Sequence, residues 1–275
     1  MMFVSMAHMM GDQDRRGRKG LLDTLGVAAA TAFSLRLLTG SFKGNCCNIR
    51  RSSDNAQQNV GFDSQGNFNI GQFSSFVGGG SGFVTKWYDQ SGNGFDVSQG
   101  TAATQPQISL ASTPSGVPSV LFSGSQFLQV ASGWVGVSQP QSLAAVAQIS
   151  NITAGFVAVS RGSATNDTPQ MFLSGSNTVA IQAPTQLAAT ASNAAFHSFI
   201  AVFSGAGSSI DVDGTITSGN TGTNFTTGTF TIASNTAGGS PLTGNICEVI
   251  GFNVGLTTTQ QGSLRSSQKS YWGTP

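Results

Sequence analysis

HSFIAVFSGAGSSIDVDGT, residues 197–215, carries the reading that decides the fold. The run Phe196 to Phe203 joins aromatic and β-branched residues over a length that suits a buried strand. A Gly- and Ser-rich break follows, and Ser209 to Val212 begins a second short strand. Asp213-Gly214 then supplies a hairpin turn, because both residues tolerate positive φ at little cost. The same texture extends in both directions. Gly82 to Tyr88, Ser119 to Phe122, Leu143 to Ile149, Gly155 to Ser160, Met171 to Ser174, Thr178 to Gln182, Phe230 to Ala233 and Ile246 to Asn253 read as further strands, broken every 8 to 12 residues by Gly, Ser, Asn or Pro. That spacing predicts an all-β antiparallel double sheet.

The flanks read differently. Residues 1–20 form a Met-rich and basic arm, and LLDTLGVAAATAFSLRLL (21–38) places Leu22, Leu25, Ala29, Phe33 and Leu37 near helical spacing, so a helix is expected there with Gly40 as its stop. Thr257 is expected to cap a short helix through Lys269. Nothing in 21–275 resembles a long linker, which gives one domain with its sandwich over about 44–256.

Charge is scarce: 8% of the 275 residues are Asp, Glu, Lys or Arg, against about 25% in ordinary soluble domains. It is also uneven. The first 51 residues hold eight basic against three acidic groups, a balance of +5, and the remainder holds four against eight, −4. A net charge of +1 argues against nucleic acid as a partner, since phosphate binding needs clustered Lys and Arg. No apolar run reaches the ~18 residues of a membrane span, and Arg15 to Lys19 follows the apolar start where a secretory signal would have the opposite order. Cys46, Cys47 and Cys247 are too few for a disulfide framework in a chain of this length, leaving a strained vicinal bridge or free thiols. His8 and His197 stand alone, so neither a metal nor a cofactor is expected. The basic arm is either a solvated tail or a contact with an acidic neighbour, including another copy of the chain.

Three segments, RRSSDNAQQNVGF (50–62), GSGFVTKWYDQSGNG (80–94) and TQPQI (104–108), resemble the N-terminal part of the fungal α-L-arabinofuranosidase B catalytic domain, and the WYDQSGNG form resembles domains with that label in bacteriophage structural proteins. HSFIAVFSGAGSSIDVDGT together with GNICEVIGFNVGLT (244–257) is similar to the closing strands of laminin-G-like jelly rolls. Both resemblances imply a concanavalin A-like β-sandwich. The catalytic Glu and Asp segments of the arabinofuranosidase family find no match here, and Cys46-Cys47 precedes the YDQSG motif, so the resemblance does not carry over that family's adjacent cysteine pair.

Glycoside hydrolysis ordinarily needs two flanking carboxylates, and this chain has one glutamate, Glu248. Strand alternation puts Glu248 on the face of Ile246, Ile250 and Phe252, as either a functional acid or a structural acceptor. Asp89 reads in two ways: as a residue that closes its own turn, or with Trp87, Tyr88 and Gln90 as the lining of a sugar subsite. Arg50 or Arg51 is expected to pair with Asp54 or Asp89. The function expected from these features is a non-enzymatic virion protein made without a signal peptide and displayed on a phage particle. As a head decoration, tail fibre or tail component it would be a homo-oligomer, by preference a trimer, joined to other virion proteins through its arm, with host surface polysaccharide as a further candidate partner. The alternative is an arabinofuranosidase-like glycoside hydrolase using Glu248 and Asp89, or a free carbohydrate-binding module.

Overall fold

The computed structural model describes residues 19–130, 137–150, 155–161, 169–192, 194–225, 229–235 and 238–275. The expected arm, residues 1–20, lies outside these except for Lys19 and Gly20. Eighteen strands are seen among the described residues: β1 Thr31–Ser34, β2 Cys47–Arg51, β3 Gln57–Val60, β4 Gly82–Trp87, β5 Val97–Ser98, β6 Gln107–Ser109, β7 Ser119–Ser123, β8 Leu128–Val130, β9 Gln141–Ile149, β10 Gly155–Arg161, β11 Gln170–Gly175, β12 Thr178–Gln182, β13 Gln186–Thr190, β14 Phe196–Phe203, β15 Ser208–Val212, β16 Thr215–Gly219, β17 Thr229–Ile232 and β18 Thr243–Phe252. Among the described residues three α-helices accompany them: α1 Leu21–Thr24, α2 Ile70–Val77 and α3 Thr258–Trp272.

Every strand pairing described is antiparallel. One sheet runs β16-β15-β14-β9-β18, with β18 flanked beyond by β7 along its first half and by β1 along its second. The opposing sheet runs β3-β2-β4-β5-β8-β17-β10-β11-β12-β13, and β6 links β4 to β7. The principal core lies between the sheets, with Phe33, Trp87, Phe122, Phe199, Phe203 and Phe230 among its largest side chains. A second, smaller core covers the outer face of the first sheet, where Leu264 of α3 and Leu25, Ala29 and Leu38 meet Ile200, Ile250 and Phe252. The expected β-sandwich is thus present, with a third, partial layer over one sheet.

The hairpin at Asp213-Gly214 forms as its composition predicts: Asp213 has φ 51° and Gly214 φ 102° between β15 and β16. Thr257 caps α3 by accepting the Gln260 amide, and Gln260 returns the bond to Thr257, closing a capping box. The helix runs to Trp272, beyond the Lys269 limit, and ends on Gly273 in the left-handed region.

The expected helix over 21–38 is corrected. Only Leu21–Thr24 is helical, and Thr31–Ser34 is a strand paired with Gly251 to Glu248, buried on both sides. The apolar residues that suggested one helical face are divided between the two cores: Phe33 belongs to the main one, Leu25 and Ala29 to the outer one. Pairing with β18 and burial on both faces override the helical propensity of an Ala- and Leu-rich run.

Candidate functional site

The single glutamate organises the best-defined polar cluster of the chain. A bulge in β18 between Ile246 and Glu248 breaks strict alternation, so Ile246 faces the main core while Glu248 shares the outer face with Ile250 and Phe252. The expectation that Ile246 also lies on that face is corrected by this extra residue. Glu248 is fully buried, and both its oxygens are occupied. Arg36 donates from Nε to Oε2 at 2.8 Å and from Nη2 to Oε1 at 3.2 Å. Ser34 Oγ donates to Oε2 at 3.0 Å, and Gln268 of α3 to Oε1 at 3.1 Å. Such a carboxylate is a structural anchor, bidentate with its arginine and closed to a substrate.

Asp89 is equally occupied. Its Oδ1 accepts the amides of Ala32 and Ser91 at 2.8 and 2.9 Å, and its Oδ2 accepts the Ser91 hydroxyl at 2.7 Å and the Phe95 amide at 3.0 Å. Gln90 reaches back to the same N-terminal stretch, accepting from the Leu38 amide and donating to the carbonyls of Ser34 and Arg36. Trp87 is fully buried, with its indole N–H directed at the Ser34 carbonyl at 3.3 Å. The WYDQSG motif is therefore a clamp on residues 30–38. Trp87, Asp89 and Gln90 are not a sugar platform, and Glu248 with Asp89 is not a catalytic pair, because burial and full hydrogen bonding leave neither acid an open oxygen. Tyr88 alone of the four remains half-buried, donating to Asn59 Oδ1 at 2.8 Å beneath Lys86.

Of the expected ion pairs, Arg51 meets Asp54 at 2.6 Å and holds that exposed carboxyl down to about 2. Arg50 instead bonds Gln105 and Asn55 and stacks over Phe83, and among the described residues neither Arg50 nor Asp89 joins an ion pair. Cys46, Cys47 and Cys247 are free and buried, and burial pushes the thiols of Cys46 and Cys247 up. Among the described residues no cluster of three His, Cys, Asp or Glu is placed to hold a metal, and no helix is long and apolar enough to cross a membrane.

What the sequence reading missed is the surface beside Arg36. A cleft of ≈ 260 Å³ opens there between Lys19, Gly20, Gln65, Ser267 and Tyr271. Arg36 lies 4.9 Å from the Tyr271 ring and donates from Nη1 to the Ser267 carbonyl and hydroxyl. The Tyr271 hydroxyl bonds Asn67 at 2.8 Å, and burial raises its phenol. Asp63, half-buried, starts the loop whose Gln65 and Gly66 form one wall; its Oδ1 is held by two amides and, among the described residues, its Oδ2 by the Asn67 side chain. The one sequence signal for this site was an arginine inside an apolar stretch in a chain with a single glutamate.

A family model described as α-L-arabinofuranosidase B, catalytic, matches residues 23–168, more than half of the chain. Comparison with curated proteins gives no match. Among solved structures, an arabinofuranosidase complexed with arabinofuranosyl-α-1,2-xylobiose superposes with a TM-score of 0.74 at 13% identity, over 90% of this chain and 63% of that one. A GH54 α-L-arabinofuranosidase soaked with a cyclic sulfate inhibitor gives 0.72 at 14% identity, with the same coverage. The chain thus spans less than two thirds of the length of these structures, and identities this low show the fold. The family match overturns the expectation of a non-enzymatic virion protein, along with its capsid and tail-fibre roles: what the chain shares its sequence pattern with is a glycosidase catalytic domain. The WYDQSG clamp, the arginine-held glutamate and the sandwich they close lie in, or are joined to, a segment whose pattern is that family's, and the chain belongs to the α-L-arabinofuranosidase B catalytic-domain family.

Proposed function

We propose that the chain is an arabinofuranosidase-type glycoside hydrolase domain, directed at glycans that carry α-L-arabinofuranosyl groups, with the cleft beside Arg36 as its sugar-binding pocket. The observation that carries the reading is the match of a catalytic-domain family model over residues 23–168. The cleft supports its placement. Its volume suits a single sugar ring, and it offers an aromatic face, Tyr271, with polar groups of Lys19, Gln65 and Ser267 around it.

Hydrolysis needs a proton donor and a second carboxylate or activated water. Glu248 and Asp89 are too enclosed for either role. Asp63 does not itself line the cleft, but it heads the loop that brings Gln65 and Gly66 to it and shares Asn67 with the Tyr271 hydroxyl, and on that proximity we assign it the carboxylate role. Arg36, fixed by Glu248 and Ser267, would orient sugar hydroxyls from the floor.

Release of nitrophenol from 4-nitrophenyl α-L-arabinofuranoside by the purified chain tests the activity. Turnover that falls at least tenfold in Asp63→Asn and is weakened in KM by Gln65→Ala supports the reading. A folded wild-type protein that releases no product overturns it. Turnover indifferent to both substitutions overturns the placement in the cleft.

A further inference from the structure

Far along the chain from the Arg36 cleft, the start of β14, the tip of the β15–β16 hairpin and the segment before β14 bring three side chains together. His197 Nδ1 faces Asp213 Oδ2 in direct hydrogen-bond contact, and His197 Nε2 lies 2.9 Å from Ser192 Oγ. Asp213 is fixed in turn, because its Oδ1 accepts the Ser198 amide at 2.8 Å and its own amide donates to the Ser198 carbonyl. His197 is 7% exposed while Ser192 is exposed, so a buried base carries a hydroxyl that solvent can reach. We propose that Ser192, His197 and Asp213 form a hydrolytic triad that cleaves small carboxylic esters.

The roles follow from the contacts. Asp213 holds the ring proton on Nδ1, which leaves Nε2 of the neutral ring as acceptor for the Ser192 hydroxyl proton. Ser192 Oγ attacks the ester carbonyl carbon as Nε2 takes its proton. The C–O bond to the alcohol breaks, and the alcohol leaves with that proton. Water, deprotonated by the same nitrogen, then attacks the acyl-serine and releases the carboxylic acid, restoring the hydroxyl. No oxidant or cofactor enters the balance.

The ring also lies with Nε2 2.9 Å from the Ser192 carbonyl. A protonated ring donates there and withholds its lone pair, so activity belongs to the neutral form. Burial disfavours the charged ring, yet Asp213 and the Ser192 carbonyl outweigh it and raise the His197 pKa. The other charged groups nearby are Asp211, two residues earlier on the hairpin, and Arg265 of α3, which pairs with it. The rate is therefore expected to climb with pH through a midpoint raised above that of an unperturbed histidine.

The experiment is labelling of the full chain with a fluorophosphonate probe, peptide mapping by mass spectrometry, and 4-nitrophenyl acetate hydrolysis from pH 6 to 9. The proposal expects the probe on Ser192, a rate falling about 100-fold in Ser192→Ala and in His197→Gln, and a rising pH limb that His197→Gln abolishes. Ser192 is exposed, so Ser192→Ala retains the fold, which its thermal unfolding verifies. Absence of label at Ser192 at pH 9 in folded protein, or hydrolysis unchanged in Ser192→Ala, would overturn it. Hydrolysis of the arabinofuranoside plays no part in this outcome, so the two readings fail separately.

Discussion

Replacing Arg36 with methionine probes the buried anchor directly. Glu248 is fully buried and takes four hydrogen bonds, two of them from Arg36. The substitution keeps most of the aliphatic stem while removing half of these bonds and the one opposite charge that the described residues place in contact with the carboxylate. Ser34 and Gln268 remain as neutral donors and cannot compensate a buried charge. Breaking one side of a buried pair in this way costs about 3–5 kcal/mol. In a chain of this size each kcal/mol moves the midpoint by about 2–4 °C, so Arg36→Met is expected to unfold about 10 °C below the wild type, as followed by far-UV circular dichroism. The double variant Arg36→Met with Glu248→Leu removes the stranded charge as well, and is expected to recover more than half of that loss. A single variant within about 1 kcal/mol of wild type, or a double variant no more stable than the single, would refute the claim that this pair anchors the structure.

Two further outcomes follow from the site. Asp89→Ala strands the Ala32 and Phe95 amides and is expected to destabilise by about 2–4 kcal/mol, with faster hydrogen exchange at Ala32 as the specific readout; unchanged exchange there would contradict the clamp. The His197–Asp213 contact raises the folded-state histidine pKa, so its stabilisation is complete below the unfolded value near 6.5 and disappears as pH rises through the higher folded value. Urea midpoints should therefore fall between pH 6 and pH 8 in the wild type, and His197→Gln should flatten that slope.

The strands were legible because their signals are local. Phe196 to Phe203 and the Asp213-Gly214 turn declare themselves within twenty residues, and the capping role of Thr257 needs only Gln260. The N-terminal segment was not, since what makes Thr31–Ser34 a strand is β18, more than two hundred positions away, and the Asp89 and Gln90 side chains. The WYDQSG motif was recognisable, but the side on which Trp87 falls is set by Cys47 and Phe33 packing against it, which no spacing reveals. Glu248 shows the limit most clearly. Its face is decided by one extra residue in β18, and its partner Arg36 sits in a run whose composition favours helix. The Ser192, His197 and Asp213 grouping was within reach of the sequence, because the hairpin register alone returns Asp213 to the start of β14.

The placement of β1 against β18, with α3 laid across both, has a consequence for synthesis. The clamp of Asp89 and Gln90 can form early on the ribosome, but Phe33, Arg36 and Leu38 have no finished surroundings until residues 248–272 have been made. A nascent chain stopped short of Leu264 would hold an apolar strand face and an unpaired arginine open to any passing surface, so chaperone capture should peak before residues 248–272 emerge and decline once α3 is made.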